Sequence, residues 1–185
     1  MKFSKILLIA GLLLFQLNFA QEKADVVLNK ALTEAKAKNK NVLLIFHASW
    51  CKWCHVMEKN MNLPETKPIF EKKFVTAYVD VQEMGDKKKL ENPGGEELMD
   101  KYKGKDAGLP FWLVINPKGE VLADSFNDKN ENLGCPSTGE EVDMFAAKLK
   151  KIFRDEYQRT SNGKRSFYEE KLTRIGETFG FADSF

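Results

Sequence analysis

The chain has 185 residues, with 29 basic and 27 acidic side chains, 43% hydrophobic residues and three cysteines. This length suits one domain whose core can stand without cross-links, and the near-balanced charge offers no basic field for nucleic acid. An odd, low cysteine count excludes a disulfide-stapled scaffold.

The chain opens on a short basic segment, Met1 to Lys5, followed by an apolar run from Ile6 to Leu14 that Phe15, Leu17 and Phe19 extend. No acid precedes Glu22. This is the pattern of a secretory signal over residues 1–20, with cleavage expected after Ala20, although Asn18 is not the small residue usual at the −3 position. The apolar run is shorter than the ~20 residues of a membrane span, which argues against an uncleaved anchor. The expected location is the periplasm or cell envelope, with no membrane span in the mature chain. Without Lys2 and Lys5, 27 basic residues face 27 acidic ones, so the mature charge is zero. All three cysteines lie in the exported part, where no glutathione pool keeps thiols reduced, so a close pair points to chemistry.

Ala24 to Lys38 places Val27, Leu28, Ala31, Leu32 and Ala35 at helical spacing. Val42 to Phe46 is a continuous apolar run, as expected of a strand buried on both faces. A helix is predicted from Cys54 to Asn60, ending before Pro64. Phe74 to Val81 alternates and is rich in β-branched and aromatic residues, which predicts a strand. Gln82 to Gly95 reads as a polar loop and Glu96 to Lys103 as a short helix closed by Gly104. Phe111–Ile115 and Glu120–Ala123 read as a hairpin around Asn116-Pro117-Lys118-Gly119. After a loop from Asn127 to Gly139, Ser137 or Thr138 caps a long helix with Val142, Phe145, Ala146, Leu149, Ile152 and Phe153 on its apolar stripe. The fold class is α/β, a mixed sheet flanked by helices over residues 21–157. A C-terminal extension, 158–185, is predicted to be partly helical.

The chemistry concentrates in Phe46 to Met57, "FHASWCKWCHVM". Cys51-Lys52-Trp53-Cys54 reads as a redox dithiol, whereas Cys51 to His55 also matches C-x-x-C-H, the signature of covalent haem attachment. Haem would need a second axial ligand, for which Met84, Met99 and Met144 are the candidates. Zinc held by Cys51, Cys54, His55 and Cys135 is a third possibility, disfavoured because structural zinc sites draw on two separated pairs. No metal site is expected.

The element order, with "SWCKWC" after the first strand and "GLP" before the hairpin, resembles the thioredoxin superfamily from about Ala24 to Phe153. The export signal adds a likeness to its extracytoplasmic members in bacterial envelopes. The resemblance implies a thiol–disulfide oxidoreductase whose redox centre is the Cys51–Cys54 disulfide, with no other cofactor. Cys51 matches the nucleophile and Cys54 the resolving cysteine. Pro110 matches the cis-proline facing the dithiol, and Leu109 the residue whose backbone meets an extended peptide. Trp50 matches the tryptophan before the first cysteine. Lys52 and Trp53 differ from the family's usual dipeptides, and they join Trp50, Leu109 and Pro110 as expected substrate contacts. Ile45 stands where cytoplasmic thioredoxins carry a buried acid. Partners would be protein thiols or disulfides and an unidentified electron donor or acceptor.

Cys51 is expected at a helix N-terminus, where unpaired N–H groups and Lys52 favour a thiolate, with Cys54 more buried. Attack by Cys51 and release by Cys54 would follow. Potentials in this fold run from roughly −270 to −120 mV, so direction stays open. A reductase or isomerase-type role is favoured over a strong oxidant. The competing class is a partner-binding module, docking through the apolar tail Phe167 to Phe185. His47 is read as a satisfied polar residue, and His55 either as tuning the pair or as plain helix surface. Cys135 is read as a small turn residue, with a third redox thiol as the sharper alternative.

Overall fold

The computed structural model describes residues 21–160, with side chains described through Arg154. The expected export signal and residues 161–185 of the expected extension lie outside the described residues. Helix α1 (Ala24–Lys38) leads into strand β1 (Asn41–His47) and helix α2 (Lys52–Met61). Helix α3 (Lys67–Lys73), strand β2 (Phe74–Asp80), a 3-10 turn (Gly85–Leu90) and helix α4 (Gly95–Lys101) follow. The hairpin of β3 (Phe111–Ile115) and β4 (Val121–Asp124) then precedes the long helix α5 (Gly139–Thr160).

The sheet order is β2-β1-β3-β4, with β1 parallel to β2 and antiparallel to β3. Six successive β1 residues, Asn41 to Phe46, are buried because the strand is central and its side chains alternate between two cores. Leu43 and Ile45 join Trp112, Val114, Met57, Phe70 and the α5 stripe on one face. Val42, Leu44 and Phe46 join Phe111, Leu113 and the α1 residues Leu28, Ala31 and Ala35 on the other. Every residue expected on the α5 stripe is buried.

The mixed sheet flanked by helices agrees with the expected fold class, and several local features differ from the sequence reading. Helix α2 begins at Lys52 rather than Cys54, because Cys51 itself serves as the N-cap. Helix α3 was not anticipated. It is one seven-residue segment with Pro68 in its first turn, and burial of Ile69 and Phe70 holds it in place. The polar stretch after β2 winds into the 3-10 turn. The second hairpin strand spans Val121–Asp124, one residue later than predicted.

The start of α5 is a capping box. Thr138 Oγ1 accepts the Glu141 N–H at 3.3 Å, and Glu141 Oε2 accepts the Thr138 N–H at 3.0 Å and the Ser137 N–H at 2.9 Å. Burial alone would raise the Glu141 pKa. The hydrogen bonds from Thr138 and Ser137 outweigh it and hold the carboxyl below its ordinary value. Helix α5 continues through Thr160, past the boundary expected at residue 157.

Candidate active site

Strand β1 ends at His47, and five residues later, at Lys52, the chain enters α2. Between them Ala48 to Cys51 form a turn closed by the Cys51 N–H on the Ala48 carbonyl at 3.0 Å. Cys51 has an extended backbone as N-cap, and its sulfur accepts the Cys54 N–H at 3.1 Å. An otherwise unpaired helix N–H therefore points at Cys51 Sγ, which is the local field a thiolate needs. Cys51 and Cys54 are joined by a disulfide, with Cα atoms 5.3 Å apart.

The expected difference in burial is absent from this bridged form. Cys51 is 3% exposed and Cys54 6%, because Ala48 and Leu109 pack against both sulfurs' residues in one small cluster. The asymmetry between the two cysteines lies instead in the hydrogen bond that Cys51 receives.

The residues singled out in the sequence fall into three groups around the pair. Trp50 and Trp53 are 47% and 41% exposed, and Lys52 lies exposed between the cysteines. The Trp50 ring is anchored, since its Nε1–H donates to the Gln82 carbonyl at 2.7 Å. Leu109 reaches the pair directly, and the Leu109–Pro110 peptide is cis. Pro110 is buried beside Gly134, and its carbonyl accepts Asn132 Nδ2 at 3.1 Å.

The histidines are satisfied elsewhere. His47 Nε2 lies 3.0 Å from Asp80 Oδ1, with its ring edge-on to Tyr78. Burial, with the nearby Glu58 charge adding, pushes the Tyr78 pKa up to about 12. His55 is exposed, and its Nε2 lies 3.1 Å from the Ser49 carbonyl.

Three contributors escaped the sequence reading. Ser49, two residues before Cys51, holds its N–H and hydroxyl on the Glu83 carboxylate at 2.6 and 2.8 Å. Asn132 braces the segment before β3 by donating to the carbonyls of Gly108 and Pro110. Trp112 Nε1–H ties the same loop down at the Gly134 carbonyl, 2.9 Å away. The only advance signal was the density of Asn, Gly and Ser, which marks loops without saying what they hold.

Cys135 is a free cysteine buried in the main core, in a different cluster from the pair. This agrees with the small turn residue. Burial, with Glu141 adding, pushes its thiol up to about 12. With an unfolded value of about 8.5, a raised folded pKa favours the native state fully below about pH 8.5, and that contribution fades as pH rises toward 12. At about pH 8.5 the native thiolate population should lie well below that of the unfolded chain. Alkylation by iodoacetamide, followed by intact mass, should therefore be slow in the native oxidised protein and fast in denaturant. Equal rates would show the sulfur to be open to solvent.

Among the described residues no cluster of three His, Cys, Asp or Glu side chains is arranged to hold a metal ion, and no helix is long and apolar enough to cross a membrane.

A bridged C-x-x-C at a helix N-cap, at the end of an inner strand of a mixed sheet and packed by Leu109, defines the thiol–disulfide class of thioredoxin-fold proteins. The chain belongs to the thioredoxin-like family, whose profile matches residues 24–117. The thiol:disulfide interchange protein DsbD of Pseudomonas fluorescens is 33% identical over 101 residues, which is 55% of this chain and 16% of that protein. The chain thus spans about one sixth of that relative. Among solved structures, a disulphide isomerase from Xylella fastidiosa Temecula1 is 27% identical, covering 55% of this chain and 72% of its own, with a TM-score of 0.46. A thioredoxin from Thermus thermophilus is 21% identical over 72% of this chain and 88% of its own, also with a TM-score of 0.46.

Proposed function

We propose that the protein is an exported thiol–disulfide oxidoreductase that exchanges disulfides with protein substrates through Cys51 and Cys54. The observation that carries this is the Cys54 N–H held on Cys51 Sγ at 3.1 Å at the start of α2. In the reduced protein that N–H and the helix dipole stabilise the Cys51 thiolate. The thiolate attacks a substrate disulfide, forming one S–S bond and releasing one substrate thiolate. Cys54, deprotonated as it attacks, then displaces the second substrate thiolate and restores the Cys51–Cys54 bond. The protein is oxidised and the substrate reduced by two electrons, and the reverse sequence is equally available. Trp50, Lys52, Trp53, Leu109 and Pro110 are assigned to the substrate-facing rim.

Haem attachment is disfavoured on packing grounds. The pair follows a buried strand and is itself buried against Ala48 and Leu109, whereas an attached porphyrin needs open space on both faces. Export to the periplasm or envelope rests on the signal-type N-terminus, and disulfide exchange is supported by the likeness to a thiol:disulfide interchange protein; a reductase or isomerase-type direction is the reading we propose.

Reduction of insulin by dithiothreitol, followed as turbidity, tests the activity. Cys51→Ser should fall to the uncatalysed rate. Rates equal to wild type would favour a binding module. Equilibration of the Cys51–Cys54 couple with glutathione gives the direction: a potential near that of thioredoxin supports a reductase, and one far above it an oxidant.

A further inference from the structure

Glu83 is the most buried charged side chain near the pair, 2% exposed in an otherwise polar segment. Burying a carboxylate is costly unless its oxygens are hydrogen-bonded, so the partners it has are informative. Both oxygens are given to one residue: Oε1 accepts the Ser49 N–H at 2.6 Å, and Oε2 accepts the Ser49 hydroxyl at 2.8 Å. Ser49 is also engaged from other sides. Lys87 Nζ, on the 3-10 turn, donates to its hydroxyl oxygen at 3.1 Å, and His55 Nε2, on α2, faces its carbonyl at 3.1 Å. Glu83 is itself fixed, because its backbone N–H donates to Glu91 Oε1 at 2.8 Å. Its neighbour Gln82 takes the Trp50 indole N–H.

We propose that Glu83 is a positioning residue for the dithiol: by gripping Ser49 it fixes the turn from which Cys51 presents its sulfur to Cys54. The inference rests on reading the pair as an exchange dithiol. Its physical basis is effective concentration. Closing the Cys51–Cys54 bond is intramolecular, and the reduced chain favours closure according to how closely it already holds the two sulfurs. Cys54 is held by α2, whereas Cys51 is held by the turn, where Glu83, Lys87 and His55 converge on Ser49. Releasing Ser49 lets Cys51 wander, so the disulfide becomes easier to reduce. The reaction that reports this is protein disulfide plus two glutathione thiols giving the protein dithiol plus one glutathione disulfide.

The test is the equilibrium constant of that reaction, measured on the full chain by alkylation of quenched mixtures. Glu83→Ala should shift it about tenfold toward the reduced protein, which is about 30 mV for a two-electron couple. Glu83→Gln should stay within about twofold of wild type, because its amide oxygen accepts the Ser49 N–H and its amide nitrogen can donate to the hydroxyl oxygen. An unchanged constant in Glu83→Ala would overturn the proposal. So would a Glu83→Gln shift as large as that of alanine, because charge and not grip would then be responsible. If Glu83→Ala does not fold, Ser49→Ala removes one leg of the clamp and should shift the constant about threefold in the same direction, with no shift again overturning the idea. The measurement needs no protein substrate. Failure of insulin reduction therefore bears on the proposed function and leaves this inference standing or falling by itself.

Discussion

Cys54→Ser is expected to accumulate covalent adducts between Cys51 and substrate cysteines. In the wild-type protein the mixed disulfide is broken from within, by a sulfur held one helical turn away. Well-oriented intramolecular groups act at effective molarities that reach ~10^5 M or more, so removing Cys54 should lengthen the adduct's lifetime by at least ~10^3-fold. Release then waits on external thiol. Non-reducing gels or intact mass after mixing with a disulfide-bearing protein should show the adduct, and dithiothreitol should remove it. Cys51→Ser should give none, because the remaining Cys54 lacks the helix N–H donor that stabilises a thiolate at Cys51. Trapping by Cys51→Ser instead would reverse the two roles. Absence of adducts from both variants would count against exchange altogether.

Trp112→Ala should cost the fold about 3–5 kcal/mol, the range for truncating a large buried aromatic. Trp112 is fully buried at the centre of the sheet, pairs with Ile45 across the β1–β3 register and meets the Phe145 ring edge-on at 5.2 Å. It thus joins the sheet to α5. Its loss also leaves the Gly134 carbonyl without the indole N–H, which adds a desolvated acceptor to the cavity. Gly134 stands two residues from Asn132, the side chain bonded to the carbonyls of Gly108 and Pro110. Exchange activity should therefore fall together with stability. Urea unfolding with the disulfide kept intact reads the first effect. Trp112→Phe, which keeps the ring and drops the N–H, should lose about 1–3 kcal/mol. A midpoint unmoved in Trp112→Ala would mean that this ring does not carry the packing assigned to it.

Elements whose burial is written in their own residues were legible in advance. The run Val42 to Phe46 could only be a strand covered on both sides, and the spacing of Val142, Phe145, Leu149 and Ile152 could only turn one face of a helix inward. The Cys51–Cys54 pair was legible for the same reason, since two thiols two residues apart after a buried strand leave few chemistries. Helix α3 was not, because its seven residues hold a proline and three lysines, and only the pocket that takes Ile69 and Phe70 makes them helical. The start of α2 was misplaced by two residues because a cysteine sulfur is an unusual N-cap, and cap preferences point to Ser, Thr, Asp or Asn.

The sequence by itself determined the order of the core elements other than α3 and singled out the Cys51–Cys54 pair, because periodicity and motif spacing are local quantities. The place of Pro110 beside the pair came from the resemblance to the thioredoxin superfamily. Only the tertiary structure decided which polar residues matter. Glu83 in "VQEMGDKKK" has every mark of a solvated loop acid, and Asn132 in "DKNENLG" of a turn former. Each is committed by a partner 34 or 22 residues away in sequence, Ser49 and Pro110 respectively. A hydrogen bond across that separation exists only after the chain has folded. At Glu83 burial then makes it strong, because a desolvated carboxylate has no water to fall back on.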